Sequence, residues 1–392
     1  MRAIIRYIMA GLFPRFSERE FERRYRLVKN MMREKGVEAL LIYSSTAGIG
    51  SVNYLSNYIS WMPTYLIFPL DGEPTLILHF YNHIPCTREM AVIEDVQWHF
   101  NNPVKCVVDN LIKKKLDRGV IGVVGLSTIP YSHFKGIREK LPEARFVDVA
   151  SDYDRIRWIR SEEEIEWFRK SAYLTDLTVE ALEKRIRPGM TEHDLTAIVY
   201  DAFLHEGGQL WIAFISTTSM EEPTLYVPWQ FPTSRVVRHG HVVITEITVG
   251  YYGYNAQIHR PFAVGREPTP LYRRLFETAL ECFERVSKAL RDGATTEDIL
   301  KASSIIEENG FTVYDSLLHG EGAKNPELGS GGSVHPKEPF TFRENMVMVI
   351  QPQPVTPDLR AGLQLGAAVV VKSDGARNLH NYPFKFPVCG LQ

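Results

Sequence analysis

A motif that occurs twice constrains this chain most. Arg187-Pro188-Gly189-Met190-Thr191-Glu192-His193-Asp194-Leu195 returns as Arg291-Asp292-Gly293-Ala294-Thr295-Thr296-Glu297-Asp298-Ile299. Both copies read Arg-x-Gly-x-Thr-x-x-Asp followed by an aliphatic residue, and in both the Thr and Asp suit a helix N-cap. Each follows a long amphipathic helix. The first of these spans 161–186 and opens on Ser161-Glu162-Glu163-Glu164, acidic where a helix N-terminus favours acid. Each copy precedes a second helix that ends at a glycine, Gly207 or Gly310. Two copies in one helical context predict an internally duplicated domain.

The residues before the first copy follow another pattern. Ser17-Glu18-Arg19-Glu20 is a capping-box sequence that opens a helix to about residue 35, with Gly36 where a C-terminal cap belongs. Apolar strands are expected over 39–43, 65–69 and 75–80, the last two joined by Asp71-Gly72-Glu73-Pro74. A strand over 120–124 and a helix over 131–141 continue the alternation. Residues 1–155 therefore read as an α/β domain and 156–392 as a second, catalytic-type domain.

Composition narrows the function classes. The 392 residues are 44% apolar and 23% charged, a globular balance, with a net charge of −2. That charge supplies no bulk attraction to nucleic acid or anionic membrane, and Lys113-Lys114-Lys115 reads as a solvated helix face. The four cysteines, Cys86, Cys106, Cys282 and Cys389, lie far apart without CxxC spacing and read as reduced thiols. The N-terminal arm, 1–16, is apolar but carries Arg2, Arg6 and Arg15, and its uncharged run is too short to span a bilayer. A cytoplasmic protein is expected, with the arm free to pack on a partner subunit.

The richest chemistry lies in 242–262, which reads as a two-strand hairpin. Gly250-Tyr251-Tyr252-Gly253 supplies glycines for the reversal. Strand alternation points Asn255, Gln257 and His259 the same way, with apolar Ala256 and Ile258 on the other face. Glu246 is expected across from Gln257, so that one sheet face presents Glu246, Asn255, Gln257 and His259 together.

This hairpin resembles the metal-binding hairpin of the creatinase/aminopeptidase P/prolidase family, the M24-like "pita-bread" enzymes. Leu318-His319-Gly320-Glu321-Gly322, Met346-Val347-Met348-Val349-Ile350-Gln351-Pro352 and Gly362-Leu363-Gln364-Leu365-Gly366 resemble its later site segments. The resemblance implies a mixed α/β (α+β) fold. A creatinase-like N-terminal domain would precede a pita-bread domain, duplicated internally around a curved antiparallel sheet. It also implies homodimers in which one subunit's N-terminal domain closes the other's site, with Asn53, Tyr54 and Trp61 as candidates to reach across. In the family's metallopeptidases five places carry ligands, and here those places hold Glu246, Gln257, His319, Gln351 and Gly366. Two close divalent cations need several anionic oxygens, and this set offers one carboxylate and one imidazole. No metal and no cofactor are expected; a single zinc with His259 or Gln351 is the remaining metal alternative. Creatinase, a metal-free member, has its general-base histidine where this chain has Trp229. Its guanidinium-gripping glutamates fall on His259 and Gln351, so creatine is not the expected substrate.

The sequence thus suggests a metal-independent, creatinase-like hydrolase cleaving a C–N bond of a small polar nitrogenous substrate. Its catalytic candidates are Glu246, His259 and His319. Burial would raise the Glu246 pKa, and a raised Glu beside a His suits proton transfer or water activation. Asn255, Gln257, Gln351 and Gln353 would bind the substrate by hydrogen bonds, and Trp229, Tyr254 and Tyr226 would form an apolar or cation-binding wall. A salt bridge from Glu246 to Arg260 or Arg235 would instead fix its charge, although Arg260 reads as structural. Two alternatives stand beside this reading: an Xaa-Pro dipeptidase or aminopeptidase P-like metallopeptidase, against which the missing carboxylates argue, and a non-catalytic binding pseudo-peptidase.

Overall fold

The computed structural model describes residues 13–45, 50–321, 328–329 and 339–391; most of the apolar arm lies outside them. The chain falls into two compact units, Met1–Arg157 and Trp158–Gln392. Among the described residues no helix is long and apolar enough to cross a membrane.

The first unit opens with helix α1 (Glu18–Glu34). The Ser17 hydroxyl accepts from the Glu20 N–H at 3.2 Å, and Gly36, at φ +63°, ends the helix in the left-handed conformation that glycine tolerates. Behind it lies a six-stranded mixed sheet built on β1 (Ala39–Ser44), which is buried along its whole length. The strand expected over 75–80 stops at Leu78, because the chain turns into a short 3-10 helix at Tyr81–His83. Helix α2 (Ser51–Ser56) carries Asn53 and Tyr54, both buried within this unit. That corrects the expectation that they reach toward a partner subunit; Trp61, by contrast, is 67% exposed.

The second unit is organised by a nine-stranded sheet, and the duplicated motif explains its symmetry. Helix α3 (Glu162–Arg185) and helix α4 (Pro270–Ala289) are the long helices before the two copies. Thr191 and Thr295 each cap the next helix, in reciprocal boxes with Asp194 and Asp298. The backbone repeats as well. Gly189 N–H donates to the Val237 carbonyl at 2.8 Å as Gly293 N–H does to that of Phe342 at 2.9 Å. Val237 and Phe342 return bonds to Met190 and Ala294, while Glu192 and Thr296 donate to Arg235 and Phe340. The offset that carries Val237 onto Phe342 carries Glu246 onto Gln351.

Three strands carry Glu246, Gln257, His259 and Gly366 at the centre of the site. β2 (His241–Tyr251) and β3 (Tyr254–Val264) form the hairpin, and β4 (Gly366–Lys372) belongs to the second copy. The reversal is a two-residue turn at Tyr252 and Gly253, both at positive φ (48° and 86°), as tight hairpins prefer. Gly250 is paired with Asn255 inside the ladder, so the four-residue turn expected from sequence is too long by its first two residues. The register shifts accordingly. Glu246 lies opposite His259, and Thr248 lies opposite Gln257.

The two copies meet where β3 pairs with β4, through His259 with Gly366 and Ile258 with Ala367. Arg260 locks this seam. Its guanidinium is fully buried and donates to the carbonyls of His259 (2.8 Å), Gly366 (2.7 Å), Tyr382 (3.0 Å) and Pro383 (3.2 Å). It also stacks on the Phe384 ring at 4.2 Å. The planar fork matches several acceptors at once, which an ammonium cannot do. Arg260→Met should therefore cost about 3 kcal/mol or more of unfolding free energy in denaturant titration, with Arg260→Lys recovering little of it. A loss under about 1 kcal/mol would show that the seam holds without the guanidinium.

Candidate functional site

Strand alternation places Glu246, Thr248, Asn255, Gln257 and His259 on one face of the hairpin. The opposite face buries Val243, Ile247, Val249, Ile258 and Phe262 in a hydrophobic core with residues of α3 such as Leu174 and Val179. An apolar layer on one side and a polar row on the other fix the strands without freedom to slip.

Glu246 is the centre. Its side chain is 13% exposed, and Gln257 Nε2 donates to its Oε1 at 2.5 Å across the diagonal of the ladder. Burial pushes the Glu246 carboxyl up to about 7; the Asp315 carboxylate pushes the same way, against hydrogen bonds from Gln257 and Gln364. Neither arginine proposed as its partner takes that role. Arg260 serves the seam carbonyls, and Arg235 lies 3.5 Å from Glu192 and 4.7 Å over the Trp229 ring. Glu246 therefore faces a second carboxylate and two amides, an arrangement that keeps a proton available near neutrality.

His259 is fully buried, and neither ring nitrogen has a hydrogen-bond partner among the described residues. Its Nε2 stands 3.9 Å from Glu246 Oε2, beyond hydrogen-bond length. Burial, with the nearby His319, holds its pKa well below the ordinary imidazole range, so it stays neutral. Gly366 makes room for this ring: a Cβ there would stand 2.7 Å from His259 Nδ1 and 2.5 Å from the Ile350 carbonyl. His319 lies across the strand ladder, with Nε2 3.2 Å from Gln351 Oε1. Gln351 Nε2 donates to the Ser316 carbonyl at 2.9 Å, which fixes the amide with its oxygen toward His319 Nε2, while His319 Nδ1 lies 3.1 Å from the Gly320 carbonyl. His319 is thereby tied to Gln351 rather than to Glu246.

The remaining candidates divide. Gln353 is fully buried and donates to the Tyr226 carbonyl at 3.2 Å. Trp229 is half-exposed and covered by the protein's own Arg235, so its ring already holds a cation. Tyr254 belongs to the wrong face. It is buried against Trp167 and Phe168, and its hydroxyl donates to Glu164 at 3.0 Å. Strand parity with Ala256 and Ile258 puts it there, which corrects its place in the substrate wall. Asn255 shares the site face but lies over Gly250 at the hairpin tip, about 13 Å along the strand from His259. It is too remote to join the Glu246 cluster.

Sequence reasoning missed four contributors. Gln364 and Asp315 adjoin Glu246, and Gln364 Nε2 donates to Asp315 Oδ2 at 3.1 Å. Carrying the alternation of β4 back from Gly366 by two residues would have found Gln364. Behind the hairpin, His380 bridges Asp176 (2.8 Å) to the Gln257 carbonyl (3.0 Å) and so fixes the residue that holds Glu246. Nothing in local sequence connects residues so far apart.

A metal pair does not fit these donors. Among the described residues no group of three or more His, Cys, Asp or Glu is arranged to hold an ion. The Gly366 place admits no side chain while His259 occupies the space beside it. Gln257 and Gln351 supply neutral oxygens, and Gln351 Oε1 is turned to His319. Among the described residues the carboxylate acting on Glu246 is that of Asp315, and this pair alone would face the repulsion of two close cations.

Residues 166–373 match the model for metallopeptidase family M24, and residues 23–159 match the creatinase/prolidase N-terminal domain. The chain belongs to the M24 family, and its two units have the creatinase-like and pita-bread folds of that family. It is 28% identical over 319 residues to an uncharacterized hydrolase/peptidase of Sinorhizobium fredii, covering 76% of this chain and 79% of that one. It is 26% identical over 262 residues to the Xaa-Pro dipeptidase of Pyrococcus furiosus, covering 66% and 73%. The X-Pro aminopeptidase of Thermotoga maritima superposes with a TM-score of 0.80 at 19% identity, over 93% of this chain and 99% of that one. At that identity the superposition establishes the fold alone.

Two stability measurements test this geometry. The Glu246 pKa is raised in the folded chain, so folding favours its protonated form. That contribution is complete below about pH 4.5 and is lost as pH rises through about 7. Glu246→Gln should match the native chain at pH 4.5 and exceed it by up to about 3 kcal/mol at pH 8. An equal difference at both pH values would contradict the raised pKa. Gly366→Ala should cost about 1–3 kcal/mol through its overlap with His259 and Ile350, and an unchanged melting temperature would show that the ring has room to move.

Proposed function

We propose that the second unit hydrolyses a C–N bond of a small polar substrate, with Glu246 as the proton-transfer group and without a pair of metal ions. The observation that carries this reading is the buried Glu246 carboxyl, held by Gln257 and pushed up to about 7. Ionised, it accepts a proton from water as the water oxygen attacks the substrate carbon. Protonated, it returns that proton to the leaving nitrogen as the C–N bond breaks. Gln257 orients the carboxyl, and the neutral ring of His259 fills the floor beside it without competing for the proton. His319 and Gln351 hold one another, and so line the site with fixed hydrogen-bonding groups.

The names of the relatives favour a second reading, in which the bond is that of an Xaa-Pro dipeptide. An Xaa-Pro bond is itself a C–N bond, so the two readings share the reaction and differ in substrate and metal. The donor set argues against the two-ion form of that chemistry, and the relatives' names argue for its substrate.

Untagged protein should be assayed for metal content and for cleavage of proline dipeptides and small amides, with and without added manganese. The proposal expects activity that does not depend on manganese, a kcat/KM that rises with pH through about 7, and a loss of about 10²–10⁴-fold in Glu246→Gln. Stoichiometric metal with metal-restored cleavage of proline dipeptides would overturn the metal-free part. An unchanged rate in Glu246→Gln would overturn the role of the carboxyl.

A further inference from the structure

Beside Glu246 the site shows hydrogen-bond acceptors in excess of the donors that the described residues supply. Gln353 and Gln364 are both fully buried, and the side-chain oxygens of both lack a partner among the described residues. Their orientation is not arbitrary. Gln353 Nε2 faces the Tyr226 carbonyl and Gln364 Nε2 faces Asp315 Oδ2, both pure acceptors, so flipping either amide would set oxygen against oxygen. The two residues are also neighbours. Leu363 N–H donates to the Pro354 carbonyl (3.2 Å) and Leu365 N–H to that of Pro352 (3.3 Å), which places Gln364 directly opposite Gln353. Such buried oxygens are costly unless a ligand or a buried water supplies donors.

We propose that this corner is a subsite for an organic cation rich in N–H donors, an ammonium or guanidinium group of the substrate, seated between Asp315 and the side-chain oxygens of Gln353 and Gln364. The inference rests on the reading of Glu246 as the proton-transfer group, because it places the reacting bond beside that cation. The charge is right: Glu246 and Asp315 are close enough for the one to raise the pKa of the other, and a cation between them offsets that repulsion. The rings of Tyr226, whose carbonyl holds Gln353, and Tyr314, which precedes Asp315, pack edge to face with centroids 4.8 Å apart. An anionic substrate group without N–H donors would leave these acceptors unpaired, and a neutral amide would leave the negative charge of the corner uncompensated.

Binding should be measured by calorimetry with n-butylammonium, n-butylguanidinium, neutral valeramide and anionic valerate. The proteins to compare are the native chain, Asp315→Asn, Gln353→Met and Glu246→Gln. Asp315→Asn keeps an oxygen for the Ser316 N–H that Asp315 Oδ1 now accepts at 2.7 Å, and melting curves check that each variant folds. At least one cation should bind about tenfold or more tightly than valeramide and valerate, and the two cations tell ammonium from guanidinium recognition. Asp315→Asn should weaken that cation by about tenfold or more, and Gln353→Met should weaken it too, while valeramide is unaffected. Equal binding of cation and amide, no binding of either cation, or indifference to both substitutions would overturn the subsite. Turnover separates the two readings. A Glu246→Gln chain that still hydrolyses substrate sinks the catalytic role, whereas lost cation preference with Glu246-dependent turnover sinks only the subsite.

Discussion

The structure of the second unit depends on one buried guanidinium. Duplicated halves must be joined somewhere, and here the join is a short ladder in which two residues of the first copy pair with two of the second. Arg260 ties that ladder to itself and to the C-terminal segment through four carbonyls. Desolvating an arginine is costly, and the bond count is what offsets it. The consequence reaches the site directly. Arg260 binds the carbonyls of His259 and Gly366, so the same contact that closes the sheet presses the His259 ring against a position where no side chain fits.

From that constraint the electrostatics follow. With Gly366 fixed as glycine and amides at Gln257 and Gln351, the site cannot concentrate negative charge as a two-cation centre must. What it concentrates instead is the buried Glu246 carboxyl, the adjacent Asp315 carboxylate and a row of glutamines. Glutamine has the shape of glutamate without its charge, so Gln257 and Gln351 offer the site neutral oxygens in place of carboxylates. The pseudo-symmetry sharpens this: Glu246 and Gln351 occupy related positions in the two copies, one retaining the carboxyl and the other turned to His319. His380 and Asp176 add a second buried ionisable pair behind Gln257, so the residue that holds Glu246 is itself held.

Much of this was legible in the sequence, for identifiable reasons. The two Arg-x-Gly-x-Thr-x-x-Asp copies are local signals, and both became capping boxes with glycines at positive φ. Period-two alternation placed Gln257 and His259 on one face, and it also contained the answer for Tyr254, whose parity sets it on the core side. The register was harder. Placing the turn at Gly250 instead of Tyr252 moves every cross-strand partner, which is why Glu246 was set opposite Gln257 rather than His259. Asp315, Gln364 and His380 were out of reach because each joins the site through a contact between segments far apart in the chain. Burial of Asn53 and Tyr54 likewise depends on how a short helix packs, which hydrophobicity alone does not decide.

The central claim is that Glu246 is a buried carboxyl poised between its two protonation states, and the direct measurement is its own titration. Carbon-13 labelling of glutamate side chains, with the Glu246 resonance identified by its loss in Glu246→Gln, reads the pKa in the folded protein. The account predicts a midpoint of about 7. A midpoint at or below the ordinary carboxyl value of 4.5 would mean an ionised, charge-compensated carboxylate, and the proton-transfer role would fall with it.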